Sequence, residues 1–183
     1  MKFDYTKIPG LVVCKPSILI DKRGFFFESF RKDLLENFIG SKINFCQENI
    51  SNSKYGVLRG LHFQIEPYAQ SKLVSVTKGR ILDVVIDLRK SSKHYGESFK
   101  IELDDVDFKQ LFIPKGFAHG FVVLSDSARV SYKVDNYYNK NSERGLNYND
   151  PKLSIDWLID EKSILLNEKD KNYPPFNSNY FFD

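Results

Sequence analysis

The sequence predicts an all-β protein, a barrel or sandwich of short antiparallel strands, and three observations predict it. Short apolar runs recur along the chain, separated by turns rich in Gly, Asn and Asp. Aromatic residues make up 15% of it, with 16 Phe and 10 Tyr, a composition that favours sheet. One stretch alone, Arg31 to Phe38, has a good helical stripe, with Leu34, Leu35 and Phe38 on one face and Gly40 as its stop.

Taken in order, Ile8, Pro9 and Gly10 turn into a first extended run at Leu11 to Val13. Ile18 to Ile20 follows, and Asp21-Lys22-Arg23-Gly24 has the composition of a hairpin turn. Phe25 to Phe30 is expected to return as a strand covered on both sides, because three consecutive Phe leave it little exposed face. Asn44 to Asn49 reads as a strand with polar groups on both faces, and Asn52 to Gly56 as the turn after it. Further strands are expected at Val57 to Gln64, Lys72 to Thr77, Ile81 to Leu88, Phe99 to Leu103, Phe108 to Pro114, His119 to Leu124 and Arg129 to Val134. Beyond Asp150-Pro151 the pattern loosens. A short helix is expected near Glu161 to Leu166, and the segment from about 150 to 183 is expected to pack over the barrel as a lid.

At 183 residues, 42% hydrophobic and 28% charged, the chain is expected to form a single domain over residues 1–183. Its net charge of +3 is scattered, which argues against a nucleic-acid partner. Cys14 and Cys46 have no metal or redox spacing and read as reduced thiols. Charges interrupt the first residues, where a signal peptide would be apolar, and no run has the length to cross a bilayer. The expectation is a soluble, cytoplasmic protein with no membrane partner.

The chemistry concentrates in Val57-Leu58-Arg59-Gly60-Leu61-His62-Phe63-Gln64, with Lys72 close behind. It combines a guanidinium, an imidazole and an ammonium, which suits a proton-abstracting base beside a group that stabilises negative charge. Alone, His62 reads as a packed or hydrogen-bonded strand histidine more readily than as a base. Arg59, Lys72, a second imidazole at His119 and Tyr132 on the buried face of its strand favour chemistry. Strict alternation sends Arg59 and His62 to opposite faces, so a shared cavity requires an irregularity, and Gly60 is where a bulge would reset the pattern. A cupin-type metal site needs His-x-His, a later Glu and a last His. Here Gln64 stands in place of the second His and Lys72 in place of the Glu, while His62 and His119 remain, so no metal is expected.

These residues resemble the dTDP-4-dehydrorhamnose 3,5-epimerase family. The resemblance runs through Arg23-Gly24-Phe25-Phe26-Phe27-Glu28-Ser29, the Val57 to Gln64 stretch, Ala69-Gln70-Ser71-Lys72-Leu73-Val74 and Ile113 to Val122. It continues through Tyr132-Lys133, Tyr137-Tyr138, Asn149-Asp150 and Ile155-Asp156-Trp157 to Lys169-Asp170. It implies a cupin or jelly-roll barrel, the double-stranded β-helix, with a few short peripheral helices. It also implies a homodimer, no cofactor, and a nucleotide-sugar substrate, a dTDP-linked 4-keto-6-deoxyhexose. His62 is then the base, Asp170 orients it, Tyr132 is the acid on the opposite face, and Lys72 stabilises the enolate. Arg23, Glu28, Gln47, Asn49, Arg59, Lys72, His119, Tyr138, Glu143 and Lys169 are implied to contact substrate, with the Arg23 to Glu28 strand reaching into the partner subunit's site. The chain departs from the family's usual pattern at Asn167, Glu168 and Leu158.

The reaction so implied needs these groups. A ketone at C4 makes the protons at C3 and C5 acidic, since either carbanion is an enolate through the same oxygen. A cation at that oxygen lowers the barrier, a histidine has a suitable pKa for the base, and a tyrosine can reprotonate the other face. Alternatives are an epimerase of one carbon only, a GDP-linked 4-keto-heptose 3,5-epimerase, and a non-catalytic sugar-nucleotide-binding cupin. A metal-dependent oxygenase would need a fuller ligand set.

Overall fold

Inward-facing apolar residues on two antiparallel sheets close those sheets on each other, and the polar inward positions are gathered in one cavity. The computed structural model describes residues 1–176 and residue 182. In chain order its first strands are β1 (Lys2–Tyr5), β2 (Val12–Lys15), β3 (Leu19–Asp21), β4 (Gly24–Phe26), β5 (Gln47–Lys54), β6 (Leu58–Gln64) and β7 (Lys72–Lys78). Then come β8 (Arg80–Asp87), β9 (Ser98–Asp104), β10 (Gln110–Ile113), β11 (Phe117–Val123), β12 (Ser127–Val134) and β13 (Glu143–Gly145). One sheet has the order β1-β2-β10-β7-β12-β5, the facing sheet β13-β6-β11-β8-β9, and β3 pairs with β4 as a separate hairpin. This is the all-β jelly-roll barrel that was expected.

Alternation sorts the apolar residues into three layers. Val74, Val76, Ile81, Val85, Leu111, Phe121 and Val130 form the layer between the sheets, with Tyr132 packed at its margin. Leu58, Leu61, Phe63, Val84 and Val122 face outward from the five-stranded sheet and are covered by Leu146, Leu153, Trp157 and their neighbours. Val12, Cys14, Leu73 and Phe112 face outward from the six-stranded sheet under α1 (Lys32–Ile39), which stops at Gly40 in the left-handed region. Among the described residues no helix is long and apolar enough to cross a membrane.

Three expectations need correction, and two strands were not expected. First, β5 runs on to Lys54 and does not turn at Asn52, because it pairs with β12 from Gln47↔Val134 to Lys54↔Ser127. That ladder overrides the turn preference of Asn and Ser. Second, Phe25 to Phe30 is not a continuous strand. The hairpin ends at Phe26, and beyond it Phe27 packs on Phe108 while the Gln110 amide donates to the Ser29 carbonyl. Phe25 and Phe26 are 60% and 67% exposed, so this chain does not itself cover both faces. Third, Glu161 to Leu166 is not a helix beyond a 3-10 turn at Glu161–Ser163, because Leu165 exchanges backbone hydrogen bonds with Gly56 and Leu58. The helix of this region is α2 (Glu168–Lys171). The short edge strands β1 and β13 were not expected, because they carry too much charge to be recognised by alternation. Of the expected lid, residues 153–166 and Phe176 lie against the outer face of the five-stranded sheet, while α2 and Tyr173 reach the inward-facing His62; residues 177–181 and 183 fall outside the described residues.

Candidate active site

Strand β6 supplies the centre of the site through the irregularity that alternation required. Leu58, Leu61 and Phe63 all face the outer layer, so Arg59, His62 and Gln64 all face inward. Opposite them, Phe121 pairs with Arg59 and His119 with His62, so β6 advances three residues while β11 advances two. Gly60 occupies the break, with φ +133 and a cis peptide to Leu61. A Cβ there would lie 2.5 Å from the Gly120 Cα, so no side chain fits between these backbones.

The cavity has two lobes, of about 290 Å3 and about 280 Å3. His62, Lys72, Tyr132, Tyr138 and Glu143 line both. Gln47, Asn49, Gln64 and Gln70 add to the first; Arg59, His119, Lys169 and Asp170 add to the second. Six strands and α2 thus bring most of the candidate residues to one place.

His62 Nε2 lies 2.8 Å from Asp170 Oδ1. The other Asp170 oxygen accepts the Gly60 amide at 3.2 Å, so one buried carboxylate holds both the imidazole and the bulge. Asn167 caps α2 and accepts the Asp170 amide at 2.7 Å, which fixes the backbone that presents the carboxylate. Burial pushes the Asp170 carboxyl up, but the hydrogen bonds from His62 and Gly60 outweigh it and keep the group below its usual range. It is ionised at neutral pH.

Lys72 is buried, and among the described residues no carboxylate is paired with its ammonium. Burial lowers its pKa to about 8 against the opposing pull of Asp83 and Glu143. His119 Nε2 lies 2.8 Å from Asp83 Oδ2, while the other Asp83 oxygen is buried without a hydrogen-bond partner. Burial lowers the His119 pKa more than Asp83 raises it, so His119 is neutral and donates to Asp83. Tyr132 is raised by burial and is a protonated phenol at neutral pH.

Around the rim, Glu143 accepts the Tyr138 hydroxyl at 3.0 Å and the Lys169 ammonium at 2.9 Å. Gln47 bonds Asn49 and also accepts the Tyr138 amide. Arg59 Nε donates to Ser53 Oγ at 3.1 Å. Arg23 and Glu28 do not join this cluster within one chain. Arg23 pairs with Asp21 on the exposed hairpin, and Glu28 pairs with Arg31.

Sequence reasoning overlooked three positions. Asp83 was readable as a charge set in the middle of an apolar run, between Leu82 and Val84. Gln64, inside the central motif, bonds the backbone at Tyr68, Tyr137 and Asn139 and so fixes the loop carrying Tyr138. Tyr173, beside His62, left no signal, because it follows α2 in irregular chain. At Leu158 the backbone has φ +62, in the left-handed region. Among the described residues no three His, Cys, Asp or Glu side chains are grouped as a metal ion would require.

Comparison with known proteins gives a consistent result. A family model described as dTDP-4-dehydrorhamnose 3,5-epimerase matches residues 5–178. The chain is 45% identical over 177 residues to the dTDP-4-dehydrorhamnose 3,5-epimerase of Shigella flexneri, covering 96% of this chain and 97% of that one. It is similar to the crystal structure of dTDP-4-dehydrorhamnose 3,5-epimerase from Elizabethkingia anophelis, with TM-score 0.95, 45% identity and 99% of each chain covered. It is also similar to a dTDP-6-deoxy-D-glucose-3,5-epimerase from Legionella pneumophila, solved in complex with dTDP-4-keto-L-rhamnose. There the TM-score is 0.91 at 42% identity, over 95% of this chain and 92% of that one.

Proposed function

The chain belongs to the dTDP-4-dehydrorhamnose 3,5-epimerase family, and from that premise we propose that its cavity inverts C3 and C5 of dTDP-4-dehydro-6-deoxy-D-glucose, giving dTDP-4-dehydro-L-rhamnose. The observation that carries this reading is that a carboxylate-bound imidazole, a buried ammonium and a protonated phenol line one cavity.

With Nε2–H donated to Asp170, the His62 Nδ1 lone pair is the base. It takes the proton from C3 or C5, and the electrons of the broken C–H bond move into the C4 carbonyl. The Lys72 ammonium faces the developing enolate oxygen, and its burial makes the charge interaction strong where it is needed. Tyr132 returns a proton to the opposite face of the carbon. Solvent then reprotonates Tyr132 and takes the proton from His62, so each inversion leaves a solvent hydrogen on the sugar.

Arg59 and Lys169 offer positive donor groups to the diphosphate and sugar, and His119, with Nε2–H given to Asp83, offers Nδ1 as an acceptor for a sugar hydroxyl; Gln47, Asn49, Tyr138 and Glu143 line the way in for the nucleotide. Arg23 and Glu28 complete the site from the hairpin of a second copy in a homodimer. The enzyme works in the cytoplasm without metal or cofactor.

Turnover in deuterated buffer tests this directly. Deuterium is expected at both C3 and C5, and His62→Asn is expected to abolish exchange at both. Label at one carbon only would establish a single-carbon epimerase. Faster exchange with a GDP-linked keto-heptose would move the substrate to the alternative, and no exchange would leave a binding module.

A further inference from the structure

Gly145 pairs with His62 across β13 and β6. Its backbone is not in the left-handed region, so conformational freedom does not explain a glycine there. Space does. A Cβ on Gly145 would fall 2.4, 2.5 and 2.5 Å from three ring carbons of Tyr173. The Tyr173 ring therefore lies flush on the β13 backbone directly opposite the base, and it meets the imidazole edge-on, with centroids 5.5 Å apart at 68°.

We propose that Tyr173 is a positioning residue whose ring, seated in the gap that Gly145 leaves, fixes the angle of the His62 imidazole. This rests on the reading of His62 as the base. The bond to Asp170 holds one atom of the imidazole, but histidine χ2 is a soft torsion, and rotation about that point swings Nδ1 away from the sugar. A flat ring against the imidazole removes that swing. Tyr173 stands three residues after Asp170, just beyond α2, so the hydrogen-bond partner and the wedge arrive on the same segment. Misplacing a reacting group by about 1 Å costs on the order of 100-fold in rate, so loss of the wedge should show in the chemical step.

The test uses the full-length enzyme and its sugar nucleotide. Tyr173→Ala is expected to lower kcat by about 10- to 100-fold while KM stays within about twofold. Tyr173→Phe keeps the ring and is expected to recover the rate. Gly145→Ala drives the ring out and is expected to lose kcat as Tyr173→Ala does. The double variant should be no slower than Tyr173→Ala alone, since without the ring there is nothing for the new methyl to strike. Where Tyr173→Ala does not fold, Tyr173→Leu, which keeps apolar volume without the flat edge, carries the same expectation. Three results would overturn the proposal: a full-rate Tyr173→Ala, a loss confined to KM, or a Phe variant as slow as Ala, which would assign the role to the hydroxyl. His62→Asn separates the two readings. If it still turns over, the assignment of the base has failed; if it is dead while Tyr173→Ala is fast, only the positioning role has failed.

Discussion

Lys72 sets the terms at the scale of the residue. Its buried ammonium, with no carboxylate paired to it among the described residues, is held at about 8, below the ordinary lysine value, because water no longer solvates the charge. Since the charged form is the one that stabilises the enolate, the basic limb of kcat/KM is expected near pH 8. The diphosphate of a bound substrate favours the cation, so the limb of kcat should lie higher. The stability consequence has the opposite sense. Between the folded value and about 10.4 in the unfolded chain, the unfolded state binds more protons, so stability rises with pH across that window. Below it, the buried cation costs stability in full. Lys72→Met is therefore expected to slow turnover by about 10²- to 10³-fold and yet melt higher at pH 7, by on the order of 1–3 kcal/mol. Rate profiles against pH and thermal melts of the two proteins check both halves; a variant that melts lower would mean Lys72 has a stabilising partner in solution.

At the scale of the element, β6 carries the site because it is irregular. A regular ladder would turn either Arg59 or His62 out to the apolar outer layer, where Leu58, Leu61 and Phe63 are packed. The extra residue at Gly60 lets both face the cavity while the outer layer stays apolar. Gly60→Ala combines an unfavourable φ of +133 with a methyl 2.5 Å from the Gly120 Cα. It is expected to cost about 3 kcal/mol or more, read as a lower denaturation midpoint, and to abolish activity, because β6 and β11 must part. A variant of native stability would show that the two strands have slack there. The alternation of the motif made this irregularity legible in the sequence, since it was the only way to reconcile two inward polar groups three residues apart.

The whole molecule presents an apolar hairpin that it does not bury. Leu19, Ile20, Phe25 and Phe26 are between 60% and 80% exposed, and Arg23 lies at the tip between them. Water contact over four large apolar side chains is unfavourable, and a second copy that covers them would also bring Arg23 and Glu28 to a site that lacks them in one chain. Ile20→Asp is expected to shift the protein from dimer to monomer in sedimentation and to raise KM for the sugar nucleotide, while the barrel keeps its melting behaviour. A variant that still sediments as a dimer would place the interface elsewhere.

The family resemblance added Gln47, Asn49, Tyr138, Glu143, Lys169 and Asp170 to the cavity. The sequence by itself determined the all-β class, most of the strands, the need for a break at Gly60 and the grouping of Arg59, His62, Lys72, His119 and Tyr132. These are local properties: alternation, turn composition and the chemistry of a short motif are written in neighbouring residues. Only the tertiary structure decided that β5 keeps its polar length as a strand, that Asp83 is the partner of His119, and that Tyr173 lies against His62 in the space of a missing side chain. Each of those depends on what arrives from elsewhere in the chain. A strand of Asn and Ser is held by its neighbour's backbone, and a buried carboxylate is defined by the group it faces. A glycine that serves as a seat is recognisable only once the ring seated on it is in place.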